Sequence, residues 1–343
     1  MKVLGIETSC DETAAAIVDN GTTLISSVIA SSMDLHAQYG GIVPEIAARS
    51  HIEAINPVIE QAISNAKTDW DQIDAIAVTS GPGLLGSLLI GVLAARTLAI
   101  AKNKPLYGVN HIEAHVYANF LSKPAPKFPF LALIVSGGHT QLVHFKDHFN
   151  YQVLGQTFDD AVGEAFDKAA KIIGLPYPGG PNISRAATKG NPQAYPLPTA
   201  KVAGDYNFSF SGLKTATLRL GQQLAGGDFT MPSTSIPALL NDHQRQDIAA
   251  SFQDTAIKTL VSKTLKAYKS LKPAAVVIAG GVAANQELRD QLKTALPINI
   301  TYAPMELCTD NAAMIAALGC FKAASPTPPS NPYTLAADPN LKM

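Results

Sequence analysis

The chain has 343 residues, 47% hydrophobic and 15% charged, with a formal net charge of -1. That length exceeds one ordinary core and suits about two domains, and the composition excludes a disordered polymer. The near-neutral balance excludes a global electrostatic pull toward nucleic acid, so RNA contact has to come from a local patch or a partner protein.

Lys2 to Glu7 is a short apolar run, TSCDET a polar turn, and Ala14 to Asp19 apolar again, which predicts a hairpin. This opening has neither the long apolar run nor the small-residue cleavage site of a signal peptide. Pro44 to Lys67 reads as a helix and Asp74 to Ser80 as a strand. The next segment, Leu84 to Ala101, approaches the length of a membrane span, but Gly86, Gly91 and Arg96 interrupt it, and it reads as a buried helix. A short strand near Leu106 and a helix starting around His111 follow. A second hairpin is predicted where Phe130 to Val135 leads through Ser136-Gly137-Gly138-His139 into Thr140 to Lys146. Beyond it come a helix from Asp159 to Gly174, an irregular stretch around Tyr177 to Pro181, and a long helix from Asp242 to Leu271. AAVVIAGGVAANQELRDQL then reads as a buried strand, a Gly280-Gly281 turn and a helix beginning near Ala283. The proline-rich tail from Ser325 is expected to form an irregular strap or to stay mobile. Strands alternating with helices imply an α/β protein with a largely parallel sheet.

Gly81-Pro82-Gly83-Leu84-Leu85-Gly86 matches the dinucleotide fingerprint, but Pro82 removes a backbone donor and no acidic residue lies about 20 positions on to hold a ribose. Close strand-helix packing is the better reading. Val135-Ser136-Gly137-Gly138 is not a serine nucleophile turn, because Ile134 stands where a glycine is needed. The loops Thr8–Cys10, Ser136–Gly138, Gly179–Gly180 and Gly280–Gly281 can each aim backbone N–H groups at a phosphate. Four in this order suggest a nucleotide cleft between two lobes.

His111 and His115 lie at i and i+4, so on a helix they share a face and can share a metal. Glu113 sits about 200° around the helix from His111, which removes the base of a metalloprotease. Asp310 precedes an apolar helical run and is either its N-cap or a remote carboxylate completing a facial triad. Asp11 and Glu12 crowd acidic groups beside the first loop, a way to raise a pKa or recruit a cation if both are buried. Asp167, on a predicted helix, reads by default as a solvated partner of a nearby lysine. Cys10, Cys308 and Cys320 form no C-x-x-C pair and suit a reducing compartment, the cytoplasm.

GIETSCDET, YGGIVPEIAARSH, SGPGLLGSL, HIEAH, VSGGHTQL, DDAVGEAFDK, YPGGP, FSFSGLK, GGVAAN and CTDNAAM occur in that order. Together they resemble the bacterial form of the tRNA N6-adenosine threonylcarbamoyltransferase family, from Met1 to about Gly319. The resemblance implies a two-lobed, actin-like ATPase fold with duplicated mixed sheets. The amino-terminal lobe would span 1–125, completed by a helix at about 309–325; the second lobe 126–308; and a tail 326–343. It implies transfer of a threonylcarbamoyl group from threonylcarbamoyl-AMP to N6 of the adenosine 3′ of the anticodon, in tRNAs reading codons that begin with adenine. It further implies one divalent metal, iron or zinc, on His111, His115 and Asp310. The adenine nucleotide, with ATP as a further ligand, would lie against Ile134, Val135, Ser136, Gly137, Gly138, Asp167, Gly180 and Asn285. Asp11 and Glu12 are the candidate bases. Some members carry an acidic residue shortly after YPGGP, where this chain has Ser184. Implied partners are tRNA, an inactive paralogue of the same fold and a small P-loop ATPase, with no membrane. A small-molecule kinase of this fold would need no HIEAH pair, and a non-catalytic scaffold would be expected to lack the metal ligands.

Overall fold

The computed structural model describes residues 1–343. They form two compact units, Met1–Pro126 with Tyr302–Met343, and Lys127–Thr301.

In the first unit β1 (Lys2–Glu7), β2 (Glu12–Asp19) and β3 (Thr23–Ser31) make an antiparallel meander. After a one-turn helix α1 (Met33–Ala37) come α2 (Pro44–Asn65), β4 (Ala75–Gly81), α3 (Leu85–Ala101), β5 (Leu106–Asn110) and α4 (His111–Tyr117). The strand order is β3-β2-β1-β4-β5, with β1, β4 and β5 parallel. Because side chains alternate across a strand, β1 serves two interfaces. Leu4 and Ile6 join a core with Ile55, Val58 and Val92 from α2 and α3. Gly5 faces the opposite way, where a Cβ would come within 2.4 Å of the Ala312 carbonyl, so only glycine lets that backbone approach.

The second unit repeats the plan. β6 (Phe130–Val135), β7 (Thr140–Asp147) and β8 (Asn150–Gln156) form the meander. Then follow α5 (Val162–Ile172), α6 (Gly179–Ala187), α7 (Ser211–Leu224), α8 (Ile236–Leu239), α9 (Asp242–Leu271), β9 (Ala275–Ala279), α10 (Gln286–Ala295) and β10 (Ile300–Tyr302). The order is β10-β9-β6-β7-β8, with β9 parallel to β6. The chain closes with α11 (Ala312–Ala324), which belongs to the first unit.

Four expectations change. The sheets are mixed, as the resemblance implies, and not largely parallel, as the alternation of strands and helices suggests: the turns after β1 and β6 are too short for a parallel crossover, so each strand returns antiparallel. A helix starts at Gly179 inside the stretch read as irregular, and the helix expected near Ala283 begins at Gln286, after a 3-10 turn over Gly281–Ala284. Finally, α3 is not buried all round. Ser87, Leu88, Gly91, Val92 and Ala95 turn inward, whereas Leu85, Leu89, Leu93 and Ile100 are 40–52% exposed. By length and composition this helix could cross a membrane, and 33% of it is enclosed in the protein.

The tail lies as a strap along the first unit. Ser330 N donates to Leu106 O at 2.7 Å, and Asp338 N to Ser80 O at 2.7 Å. The Arg96 guanidinium donates to the carbonyls of Pro332, Tyr333 and Leu335. Leu335 and Ala337 pack against the core.

Candidate active site

In the first unit the three parallel strands end on one side of the sheet, the usual place for a site in an α/β protein. Asn110, the last residue of β5, caps α4: its Oδ1 accepts from the amides of Ile112 (2.9 Å) and Glu113 (3.1 Å). The cap starts the helix at His111, and one turn later comes His115, with ring centroids 4.7 Å apart. Asp310 arrives from the segment before α11. Its Oδ1 lies 3.5 Å from His111 Nε2 and 3.3 Å from His115 Nε2. One ligand atom from each of the three residues falls within 4.8 Å of the others. The cap of α11 is Asn311, whose Oδ1 accepts from Met314 N, so Asp310 is not used as a cap.

His115 tests whether these residues fit a cation. It is 2% exposed, and neither ring nitrogen makes a hydrogen bond, the approach to Asp310 being misaligned for one. A buried, unsatisfied imidazole is costly, and metal coordination satisfies it. Two imidazoles and one carboxylate are a donor set for a divalent transition metal.

His111 Nδ1 lies 3.1 Å from Glu7 Oε2 and 3.2 Å from Ser9 Oγ. Burial pushes the imidazole pKa down, but the charges of Glu7 and Asp310 outweigh it and lift it to about 9. Glu7 was not singled out from the sequence, since it reads as the end of an apolar strand. Glu113 is buried, not aimed at solvent, and burial lifts its carboxyl to about 7 against the opposing charge of Lys322.

Asp11 and Glu12 follow on the same loop. Burial raises Asp11, and the Asp310 charge raises it further. Glu12 is lifted to about 7, chiefly by burial, against a hydrogen bond from Ser31 Oγ (2.8 Å). Its Oε2 is buried and makes no hydrogen bond. The Gly81–Gly83 loop turns its amides to the protein: Leu84 N donates to Ser9 O (2.8 Å) and Gly83 N to Pro339 O (3.3 Å). That is packing, not a dinucleotide cradle.

In the second unit the Ser136–Gly138 turn and Gly280 lie together at the end of β6, and the Gly179–Gly180 turn lies against α5. Ile134 and Val135 have no exposed surface, so their side chains belong to the core. Ser136 and His139 close a turn through Ser136 N to His139 O (2.8 Å) and His139 N to Ser136 Oγ (3.1 Å). Gly163 N, at the start of α5, donates to Ser136 O (3.2 Å). Gly280, at φ +91°, lies where a Cβ would meet the Val135 carbonyl at 2.5 Å. By contrast a Cβ at Gly137, Gly138, Gly180 or Gly281 would meet nothing within 4 Å. These four open onto free space, as turns that receive a phosphate do. Asp167 is not a lysine partner: its Oδ1 accepts from Gly179 N at 2.7 Å, and burial, only partly offset by the Gly179 and Gly180 amides, raises its carboxyl. Asn285 caps α10 through Leu288 N (3.1 Å) and donates to Gln253 Oε1 (2.9 Å).

Two mixed five-stranded sheets on one plan define an actin-like fold, and the first sheet carries the His-His-Asp group at its strand ends. The ROK hexokinase from Thermus thermophilus is similar over 94% of this chain and 99% of its own, at 16% identity and a TM-score of 0.52. The sequence profile of tRNA N6-adenosine threonylcarbamoyltransferase matches residues 23–317. The enzyme of that name from Symbiobacterium thermophilum is 52% identical over 322 residues, covering 93% of this chain and 91% of the relative. That from Bacillus subtilis is 52% identical over 325 residues, covering 93% and 90%. The chain belongs to the tRNA N6-adenosine threonylcarbamoyltransferase family, enzymes that modify tRNA.

Proposed function

We propose that this protein transfers the threonylcarbamoyl group of threonylcarbamoyl-AMP to N6 of the adenosine 3′ of the anticodon, in tRNAs reading codons that begin with adenine. The observation that carries the reading is the group of His111, His115 and Asp310, gathered within 4.8 Å in a chain of this family. These three residues hold one divalent cation, iron(II) by the two-histidine, one-carboxylate pattern, with zinc also suited to the donors. The bound ion supplies a Lewis acid and a template for donor oxygens.

The chain's own residues do the rest. Amides of Gly137 and Gly138 hold the adenylate, with the open side of Gly180 leaving it room, Asp167 fixing the Gly179–Gly180 turn and Asn285 the start of α10. AMP is a good leaving group, so positioning and charge stabilisation are the main tasks, and ATP, which the same turns would accept, need not be spent. The adenosine N6 amine is a weak nucleophile. Glu12 Oε2, buried without a hydrogen bond, takes its proton as the carbonyl is attacked, and Asp11 sits beside it as the alternative base.

The exposed apolar face of α3, Leu85, Leu89, Leu93 and Ile100, supports docking of a paralogue of the same fold. A small P-loop ATPase is the other proposed companion, and the cytoplasm, where tRNA is modified, the place of work. The deciding experiment combines the protein, metal and companions with threonylcarbamoyl-AMP and unmodified tRNA, and looks for the modified adenosine by mass spectrometry. Product is expected. Its absence with every component present overturns the reading.

A further inference from the structure

Glu7 has no exposed surface, and no lysine or arginine pairs with it. A buried carboxylate on the central strand of a sheet is expensive unless donors surround it. Three do. Ser9 N donates to Oε1, Thr79 Oγ1 donates to Oε2, and His111 Nδ1 lies 3.1 Å from Oε2. Strand β1 brings the carboxylate, β4 brings Thr79 and the cap of α4 brings the imidazole, so the arrangement is built from three elements.

We propose that Glu7 is a positioning residue for the metal centre: it accepts the Nδ1 proton of His111, fixes that tautomer, and so presents the Nε2 lone pair toward Asp310 and His115. The inference rests on the proposed metal site. Its chemistry is that of a carboxylate behind a ligating imidazole, which orients the ring and makes the ligating nitrogen more basic. It also balances charge, since two neutral imidazoles, Asp310 and Glu7 together offset one divalent cation. An amide cannot replace it. With three donors converging on the group, the NH2 of a glutamine faces a donor instead of accepting from one. His115 has no such backing, as its Nδ1 makes no hydrogen bond. His111 is therefore the directed ligand of the pair.

The test measures metal affinity, not turnover. Metal-free full-length protein is titrated with zinc against a chromophoric chelator, for the natural sequence and for Glu7→Gln, Glu7→Asp and Glu113→Gln. Affinity is expected to fall about 10- to 100-fold in Glu7→Gln and to recover in part in Glu7→Asp. It should stay unchanged in Glu113→Gln, which alters a buried carboxylate on the same helix outside the His-His-Asp group. Unchanged affinity in a folded Glu7→Gln overturns the inference, whereas no zinc binding by the natural sequence overturns the metal site itself. Should Glu7→Gln fail to fold, nitrogen-15 imidazole spectra of the zinc-loaded natural protein decide. A proton on Nδ1 of His111 is expected, and a proton on Nε2 rules the role out.

Discussion

Glu12 is the residue whose environment makes the sharpest kinetic statement. Burial lifts its carboxyl to about 7, so near neutrality it exists partly as the acid, and only the carboxylate can accept a proton. The sign follows: activity should rise with pH through about 7 and level off above it, because a base is used in its deprotonated form. Glu12→Gln should lower kcat by about 10²- to 10⁴-fold, remove the acidic limb of the pH–rate profile and leave metal content intact. A variant that keeps full activity and the same limb would assign the base to another group. The residues of the His-His-Asp group divide in how openly the sequence declares them. His111 and His115 announce themselves by spacing, while Asp310 gains its role only from the family resemblance, since from the residues alone a helix cap explains it equally well. Glu7 was invisible, because a single acid closing an apolar strand looks like the edge of a turn until Thr79 and Ser9 are folded around it.

Among the elements, the glycine turns of the second unit separate two uses of the same residue. Gly280 needs its positive φ and has the Val135 carbonyl against it, whereas Gly137 has free space on its Cβ side. Gly280→Ala should destabilise the protein by more than about 1 kcal/mol, read as a lower denaturation midpoint. Gly137→Val should leave that midpoint in place and weaken adenylate binding, measured by calorimetry. Equal effects on both properties would show that the two turns do not differ in role. The hairpins β1–β2 and β6–β7 were legible because apolar runs flank short polar turns. Strand β3, TLISSVIAS, was missed because an edge strand exposed along much of its length carries no clean alternation. Helix α3 misled for the opposite reason. A helix apolar on every side has no polar face to reveal which side meets solvent, so its outward leucines could not be told from its inward ones.

For the molecule as a whole, that outward face calls for a partner test. Leu89→Glu combined with Leu93→Glu should leave the isolated protein folded, since both side chains are 40–50% exposed. Association with the proposed paralogue should be lost in analytical ultracentrifugation, and undiminished association would place that partner elsewhere. Gly5 and the strap carry a consequence for the order in which the chain acquires its structure during synthesis. The second unit is one continuous stretch, Lys127–Thr301, so every part of it exists before residue 302 is made. The first unit begins earlier and finishes later: β1 stays uncovered on its glycine side until Ala312–Ala324 has been translated, and β5 lacks its strap until residues 330–341 have followed. A ribosome making this protein therefore holds an apolar sheet waiting for its last helix while the later-encoded unit is already free to fold, and the His-His-Asp group, which needs Asp310, is among the last features to form.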